Sequence, residues 1–285
     1  MMGRDFYMSS KFKKRCISWT LNILFVLVFI WVLFPIFWIV MTSLKTRIET
    51  FSVPPVWVFM LTLEHYKVLF TISSFLKSFA NSAIIALLST AVIVFFSALA
   101  GYAYSRFDFP LKKSSAFFLL AVRMFPPVVI VPSMFGISKW LNIYDHHFLM
   151  ILLYSSFTIS FSVWMMKAFF DEVSIEMEEA AMVDGYTRMK AFRRVVLPLV
   201  APGLVATSIF TFILSWNEFF FAFMFTSERA KTAPVELVAI VLKETGVEWG
   251  IMSAGASLVM LPALIFSWFI QKHLVKGLAV GSIKG

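Results

Sequence analysis

Glu178-Glu179-Ala180-Ala181-Met182-Val183-Asp184-Gly185 is a polar stretch set between two strongly apolar ones. Phe148 to Met166 before it and Val195 to Asn217 after it carry no charged residue. A soluble-looking segment fixed between two membrane spans can serve as a handle for a partner outside the bilayer. Ser174 is suited to cap a helix. Glu176, Glu178 and Glu179 fall in its first turns, where the helix dipole favours negative charge. Ala180 and Ala181 keep one surface low, so that another protein can approach closely. Gly185 fits a left-handed stop at the helix C-terminus. Thr187 can cap a second, basic helix over 188–196, and Pro198 marks entry into the next span. The spacing predicts helix, glycine turn, helix at the membrane surface.

The rest of the chain agrees with a membrane setting. Of 285 residues, 60% are apolar and only 14% charged, against about 25% charged in soluble domains. A helix needs about 20 apolar residues to cross the hydrocarbon. Six candidates occur, near 17–42, 79–104, 114–138, 148–168, 201–226 and 250–271. The fold class is therefore all-α, a polytopic protein with six transmembrane helices. The net charge of +9 points to loop asymmetry rather than to nucleic acid. With the N-terminus inside, the inner segments hold fifteen Lys and Arg and the outer ones eight. The positive-inside rule then places both termini and the 169–200 loop in the cytoplasm. The chain divides into an N-terminal segment 1–16, a permease domain 17–271 that includes this loop, and a tail 272–285. The single Cys16 excludes an internal disulfide and a cysteine metal site. The basic stretch Lys11 to Arg15 leads into an apolar run too long for a signal peptide, so span one is read as retained.

Several spans are irregular. Span two carries small residues, among them Ser82, Ser89, Ser97, Ala98 and Gly101, which let helices pack closely in lipid. Span three holds Arg123 followed by Pro126, Pro127 and Pro132. A proline removes a helix hydrogen bond and clashes with the turn before it, so a kink or break is expected. Span five ends in Trp216-Asn217-Glu218, groups suited to holding a polyol by stacking and hydrogen bonds. Arg123 and Glu218 lie well inside spans, where a charge costs about 2.5–3.5 kcal/mol on the insertion scale. Both should face protein or water. Their depths differ by about 12 Å at ~1.5 Å per residue, which favours separate roles: Glu218, Asn217 and Trp216 on the substrate path, Arg123 bracing the broken span. His146-His147 reads as an interfacial pair rather than a metal site. No phosphate-binding glycine loop, H-E-x-x-H or G-x-S-x-G occurs.

Glu179, Ala180, Ala181, Gly185, Val195, Leu197 and Pro198 satisfy the pattern E-A-A, three residues, G, nine residues, an aliphatic, one residue, L-P. Here the chain resembles the permease subunits of bacterial ATP-binding-cassette importers, and the maltose-type branch of carbohydrate permeases in particular. Thr42-Ser43-Leu44-Lys45 with Pro54-Pro55-x-Trp57, Ala100-Gly101-Tyr102-Ala103-x-Ser105-Arg106, Trp216-Asn217-Glu218 and the C-terminal ending are also similar to that branch. Leu111 stands where the family usually has glycine. The resemblance implies that Glu178, Glu179, Ala180, Ala181, Asp184, Gly185, Leu197 and Pro198 couple to the ATPase. It also implies that the tail, with Gly277, Gly281, Lys284 and Gly285, reaches the ATPase interface. It implies an inner-membrane assembly with a second, related permease, two ATPase subunits and an extracytoplasmic substrate-binding protein. No cofactor is expected in this chain, because ATP and Mg belong to the ATPase subunits. The alternative is a secondary transporter driven by an ion gradient, with Arg123 and Glu218 as its relay; the coupling-loop pattern and the lack of an evident internal repeat weigh against it.

Overall fold

The computed structural model describes residues 3–72, 74–241 and 248–281. Among the described residues every regular element is helical. In chain order the elements are α1 (Gly3–Ser43), α2 (Arg47–Thr50), α3 (Glu64–Ile72), α4 (Phe75–Arg106), α5 (Lys112–Met124), α6 (Pro127–Trp140) and α7 (His147–Asp171). Then come α8 (Ile175–Val183), α9 (Arg188–Ala191), a π-helical turn (Phe192–Val196), α10 (Leu197–Leu199), α11 (Ala201–Trp216), α12 (Phe220–Phe225), α13 (Ala233–Val241) and α14 (Trp249–Gly281). Among the described residues four stretches are long and apolar enough to cross a membrane: Ile17–Ser43, Phe75–Arg106, His147–Asp171 and Trp249–Phe269. The count rises to six if each of two bent pairs is one span.

The two bends have identifiable causes. α5 and α6 meet at 92°, with Pro126 as the cap of α6 and Pro127 its first residue. Pro132 sits inside α6 without ending it. The segment 188–199 meets α11 at 73°, at Val200-Ala201-Pro202. Pro198 also shapes the residues before it: lacking an amide hydrogen, it cannot bond the carbonyl four residues back. The helix widens there into the π turn, with the Leu197 amide donating to the Phe192 carbonyl. One expected span differs from observation. The run 201–226 is interrupted, because α11 stops at Trp216, Asn217 caps it, and the chain restarts as α12.

The chain forms two compact units. In the first, residues 1–72 with 246–258, nearly all apolar side chains of α1 from Ile17 to Phe37 are exposed, Trp31 among the most. Hydrocarbon satisfies such a helix, since its backbone bonds are internal. The segment after α1 is ordered by side chains. Thr46 and Glu49 form a reciprocal capping box on α2, and Lys45 is buried between the rings of Trp38 and Phe59, 5.2 and 5.3 Å from their centroids. Tyr66 bridges Ser43 and Ser257 with two 2.8 Å hydroxyl contacts.

The second unit, residues 73–245 with 259–285, is built on α4, which packs along α7 and against α11. The buried face of α4 runs Ser78, Ser82, Ile85, Ser89, Ile93, Ser97 and Gly101, a stripe at helical spacing. At one end of the unit Ile85, Met150, Leu153, Phe221 and Phe225 form a core. At the other, Tyr102, Met166, Phe170, Phe192 and Val196 form a second, and on this second core the 172–200 loop is built.

Candidate functional site

The loop begins where α7 ends. Ser174 accepts the Glu176 amide at 3.3 Å and opens α8. At the far end Gly185 takes φ +89°. The Tyr186 amide donates to the Ala181 carbonyl and the Gly185 amide to the Met182 carbonyl, both at 3.1 Å. This is the paired bonding that a left-handed residue makes possible after a helix. Thr187 then accepts the Lys190 amide at 3.4 Å and opens α9.

The loop has two sides. Inward, Ala181, Ala191, Phe192 and Val196 are buried. Outward, Glu179, Ala180, Asp184 and Gly185 are exposed, with Arg188, Lys190, Arg193 and Arg194 on the second limb. Exposed apolar groups lie among these charges: Ile175, Met177 and Met189, with Val183 at 88%. Ala181 thus belongs to the inner side and Ala180 to the outer one. Leu197 is half-buried and Pro198 exposed.

Glu178 lies on the inner side too, 3% exposed, and its place is different from that of a surface acid near a helix N-terminus. One carboxylate oxygen takes the Arg106 Nε–H at 3.1 Å, and the other takes the Tyr102 hydroxyl. Both partners come from the last turns of α4. The Arg106 guanidinium also donates to the Val173 carbonyl at 2.7 Å and to Ser105 Oγ at 2.9 Å. Ser105 in turn donates to Asp171 Oδ1 at 2.6 Å. The Tyr102 ring rests on Phe192, 4.5 Å between centroids, and on Phe170 at 5.6 Å. Removing one member of such a buried pair costs about 3–5 kcal/mol, whereas replacing both by apolar groups is often neutral. Sequence reasoning gave Tyr102 and Arg106 no role. The signal was there: an arginine closes the second span, and an acid precedes the E-A-A pattern.

The residues expected on a substrate path are placed differently from one another. Trp216 is 2% exposed, donates its indole N–H to the Val259 carbonyl at 2.9 Å, and packs on Phe79 and Phe212. Its ring faces are covered in this arrangement, and the ring packs α11 against its neighbours. Asn217 is exposed and donates to the Ile213 carbonyl at 2.9 Å. Glu218 accepts the Phe221 and Ala222 amides at 2.9 and 3.3 Å, so its carboxylate opens α12. Arg123 sits in the last turn of α5, just before the proline break, with its guanidinium 5.3 Å from the Phe161 ring centre. Gly277 and Gly281 continue α14 as helix; Lys284 and Gly285 lie outside the described residues.

A second cluster, at the opposite end of α4, was not foreseen. Asp145, with φ +58°, accepts the amides of Ser227, Glu228, Arg229 and Ala230 at 2.9–3.0 Å. Burial alone would push this carboxyl up; the four amides, Arg229's first, outweigh it and hold it below the ordinary carboxylate value. Asn81 donates to the carbonyls of Arg229 and Lys231 at 3.0 and 2.9 Å, and its oxygen meets His147 Nε2 at 2.8 Å. His146 lies 3.2 Å from Arg229 Nη1. The histidine pair therefore helps to hold the 226–232 loop, and among the described residues no three potential ligands gather for a metal.

With this geometry in hand, the chain can be set beside known proteins. It is 33% identical over 276 residues to the trehalose transport system permease protein SugB of Mycobacterium tuberculosis, covering 95% of this chain and 99% of that one. It is 34% identical over 262 residues to the trehalose/maltose transport system permease protein MalG of Thermococcus litoralis, covering 89% and 92%. Over 266 residues it is 32% identical to the diacetylchitobiose uptake system permease protein DasC of Streptomyces coelicolor, covering 93% and 96%. A chain in the crystal structure of a bacterial ABC transporter for the acidic polysaccharide alginate shares the fold, with a TM-score of 0.78 at 19% identity over 91% of this chain and 97% of that one. Residues 93–280 match the family described as binding-protein-dependent transport system inner membrane component, so α4 to α14, with the loop at their centre, make this chain a multi-pass membrane component of that transport family and not a catalytic enzyme.

Proposed function

We propose that this chain is the permease subunit of an ATP-binding-cassette importer for a sugar or related polyol. Its spans form the path, and separate ATPase subunits hydrolyse the ATP. The observation that carries the reading is the two-sided loop: its inner face is fastened to α4 and α7, and its outer face presents Val183, Met177, Glu179 and Asp184 to a partner. The named sugar transporters among the relatives support the substrate class. In this reading 17–271 is the permease domain, 1–16 and the 272–285 tail are cytoplasmic, and the loop faces the cytoplasm of a bacterial cell. A second permease, two ATPase subunits holding ATP and Mg, and an extracytoplasmic binding protein complete the assembly. Glu179, Ala180, Asp184, Gly185 and Pro198 form the docking face; Gly277 to Gly285 reaches the same partner. ATP closes the ATPase dimer, the docked loops move with it, and the spans shift toward the outward-facing state.

Gly185→Val tests this. Open space surrounds a Cβ at Gly185, but φ is +89°, so the variant is strained through its backbone alone. The altered turn is expected to lower uptake of labelled oligosaccharide and binding-protein-stimulated ATP hydrolysis, with insertion and assembly retained. Full uptake by an assembled Gly185→Val complex would remove the docking assignment.

A further inference from the structure

A docked loop does work only if its displacement reaches the spans. α8 is attached to its neighbours by short loops: residues 172–174 lead from α7, and 184–187 lead to α9. Such links alone would let α8 swivel on its partner. The side chains remove that freedom. Tyr102 and Arg106 lie one turn apart on α4, and both converge on the two oxygens of Glu178. The same guanidinium holds Val173, just before α8, and reaches Asp171 through Ser105. The Tyr102 ring meanwhile touches Phe192 on the second limb and Phe170 on α7. The end of α4 is thus tied to both limbs of the loop and to the helix that enters it. The Arg106 and Glu178 side chains are 5% and 4% exposed. A buried ion pair is weak evidence for stability, since apolar groups can replace it; its directional, fixed geometry is what apolar packing lacks.

We propose that Tyr102, Arg106 and Glu178 form a rigid joint that makes α8 and the end of α4 one lever, so that movement of the docked loop is passed to the span. They are positioning residues, acting through α8 rather than on the partner. This rests on the proposed docking of the loop, and it moves Glu178 out of the docking face.

The test uses the assembled complex in lipid nanodiscs and vesicles, with Glu178→Gln and with the double variant Arg106→Met/Glu178→Leu, which keeps apolar volume without charge. Sugar taken up per ATP hydrolysed is expected to fall about tenfold in both, within the usual range of coupling between sites. Spin labels at two exposed positions, Ile175 on α8 and Phe95 on α4, in a Cys16→Ser background report the joint directly. The distance distribution should be narrow and unchanged by ATP in the unmodified loop, and broad in the variants. Three results overturn the joint. One is a double variant with unchanged uptake per ATP. Another is a narrow distance distribution in both variants. The third is a double variant that fails to assemble, which would assign the pair to folding. If the unmodified complex itself shows no binding-protein-dependent uptake, the importer reading fails, while the spin-label distances still decide the joint.

Discussion

Replacing Gly101 by alanine places a methyl group in the seam between α4 and α7. The new carbon would lie 2.8 Å from Met166 Cβ, 2.9 Å from the Lys167 nitrogen and 3.0 Å from the Met166 carbonyl carbon. Carbon atoms pack best at about 3.5–4.0 Å, so the seam must open by about 0.7–1.2 Å. The nearest atoms are backbone and Cβ, which cannot rotate aside. Overpacking of this kind costs about 1–3 kcal/mol. Alanine in a helix gains back about 1 kcal/mol over glycine. Gly136→Ala separates the two effects: on α6 a methyl group meets nothing within 4 Å, so that variant gains propensity without a clash. The two alanine variants should therefore differ by about 1–3 kcal/mol, with Gly101→Ala the less stable. Thermal denaturation of the detergent-solubilised complex reads this, at roughly 2–4 °C per kcal/mol for chains of about 200 residues. A Gly101→Ala complex melting at or above the Gly136→Ala complex would refute the packing argument.

Leu111 precedes α5 with φ +64° and is largely exposed; a left-handed non-glycine residue costs about 1–2 kcal/mol. Leu111→Gly relieves that strain against a larger unfolded-state entropy of about 0.5–1 kcal/mol, so the melting temperature should rise slightly, whereas Leu111→Val should lower it; the reverse order would mean that the turn is not left-handed. Asp145 is held below its ordinary carboxylate value, so its contribution is fully present above that ordinary value and is lost as pH falls through the lower folded value. Amide hydrogen exchange at Ser227 to Ala230 should be protected at neutral pH and lose protection on acidification. Asp145→Asn should show weaker protection with no such step, and an identical pH profile in both proteins would rule out the carboxylate as the anchor.

Much of the architecture was legible in the chain because a bilayer leaves few choices. Without water to satisfy backbone groups, long apolar runs must be helices, and the prolines at 126 and 127 must break one. The loop was legible for local reasons: Ser174, Gly185 and Thr187 each act on amides within five residues of themselves. The turn at Leu111 was only half legible, since a leucine gives no sign of a positive φ. What required tertiary structure was every role decided by distance in space. Glu178 and Glu179 are neighbours of the same type, and a helix turns about 100° between them. One consequently meets Arg106 across 72 residues, while the other stays exposed. Trp216 and Asn217 differ in the same way, one sealed against Phe79 and Val259, the other open. Asp145 was hidden altogether, because its partners are backbone amides more than 80 residues away, and backbone amides leave no mark in a sequence. Membrane physics and local hydrogen bonding determine helices, breaks and caps from the chain alone; which side chains are anchored and which remain free for a partner is settled only when α4, α7 and the loop pack together.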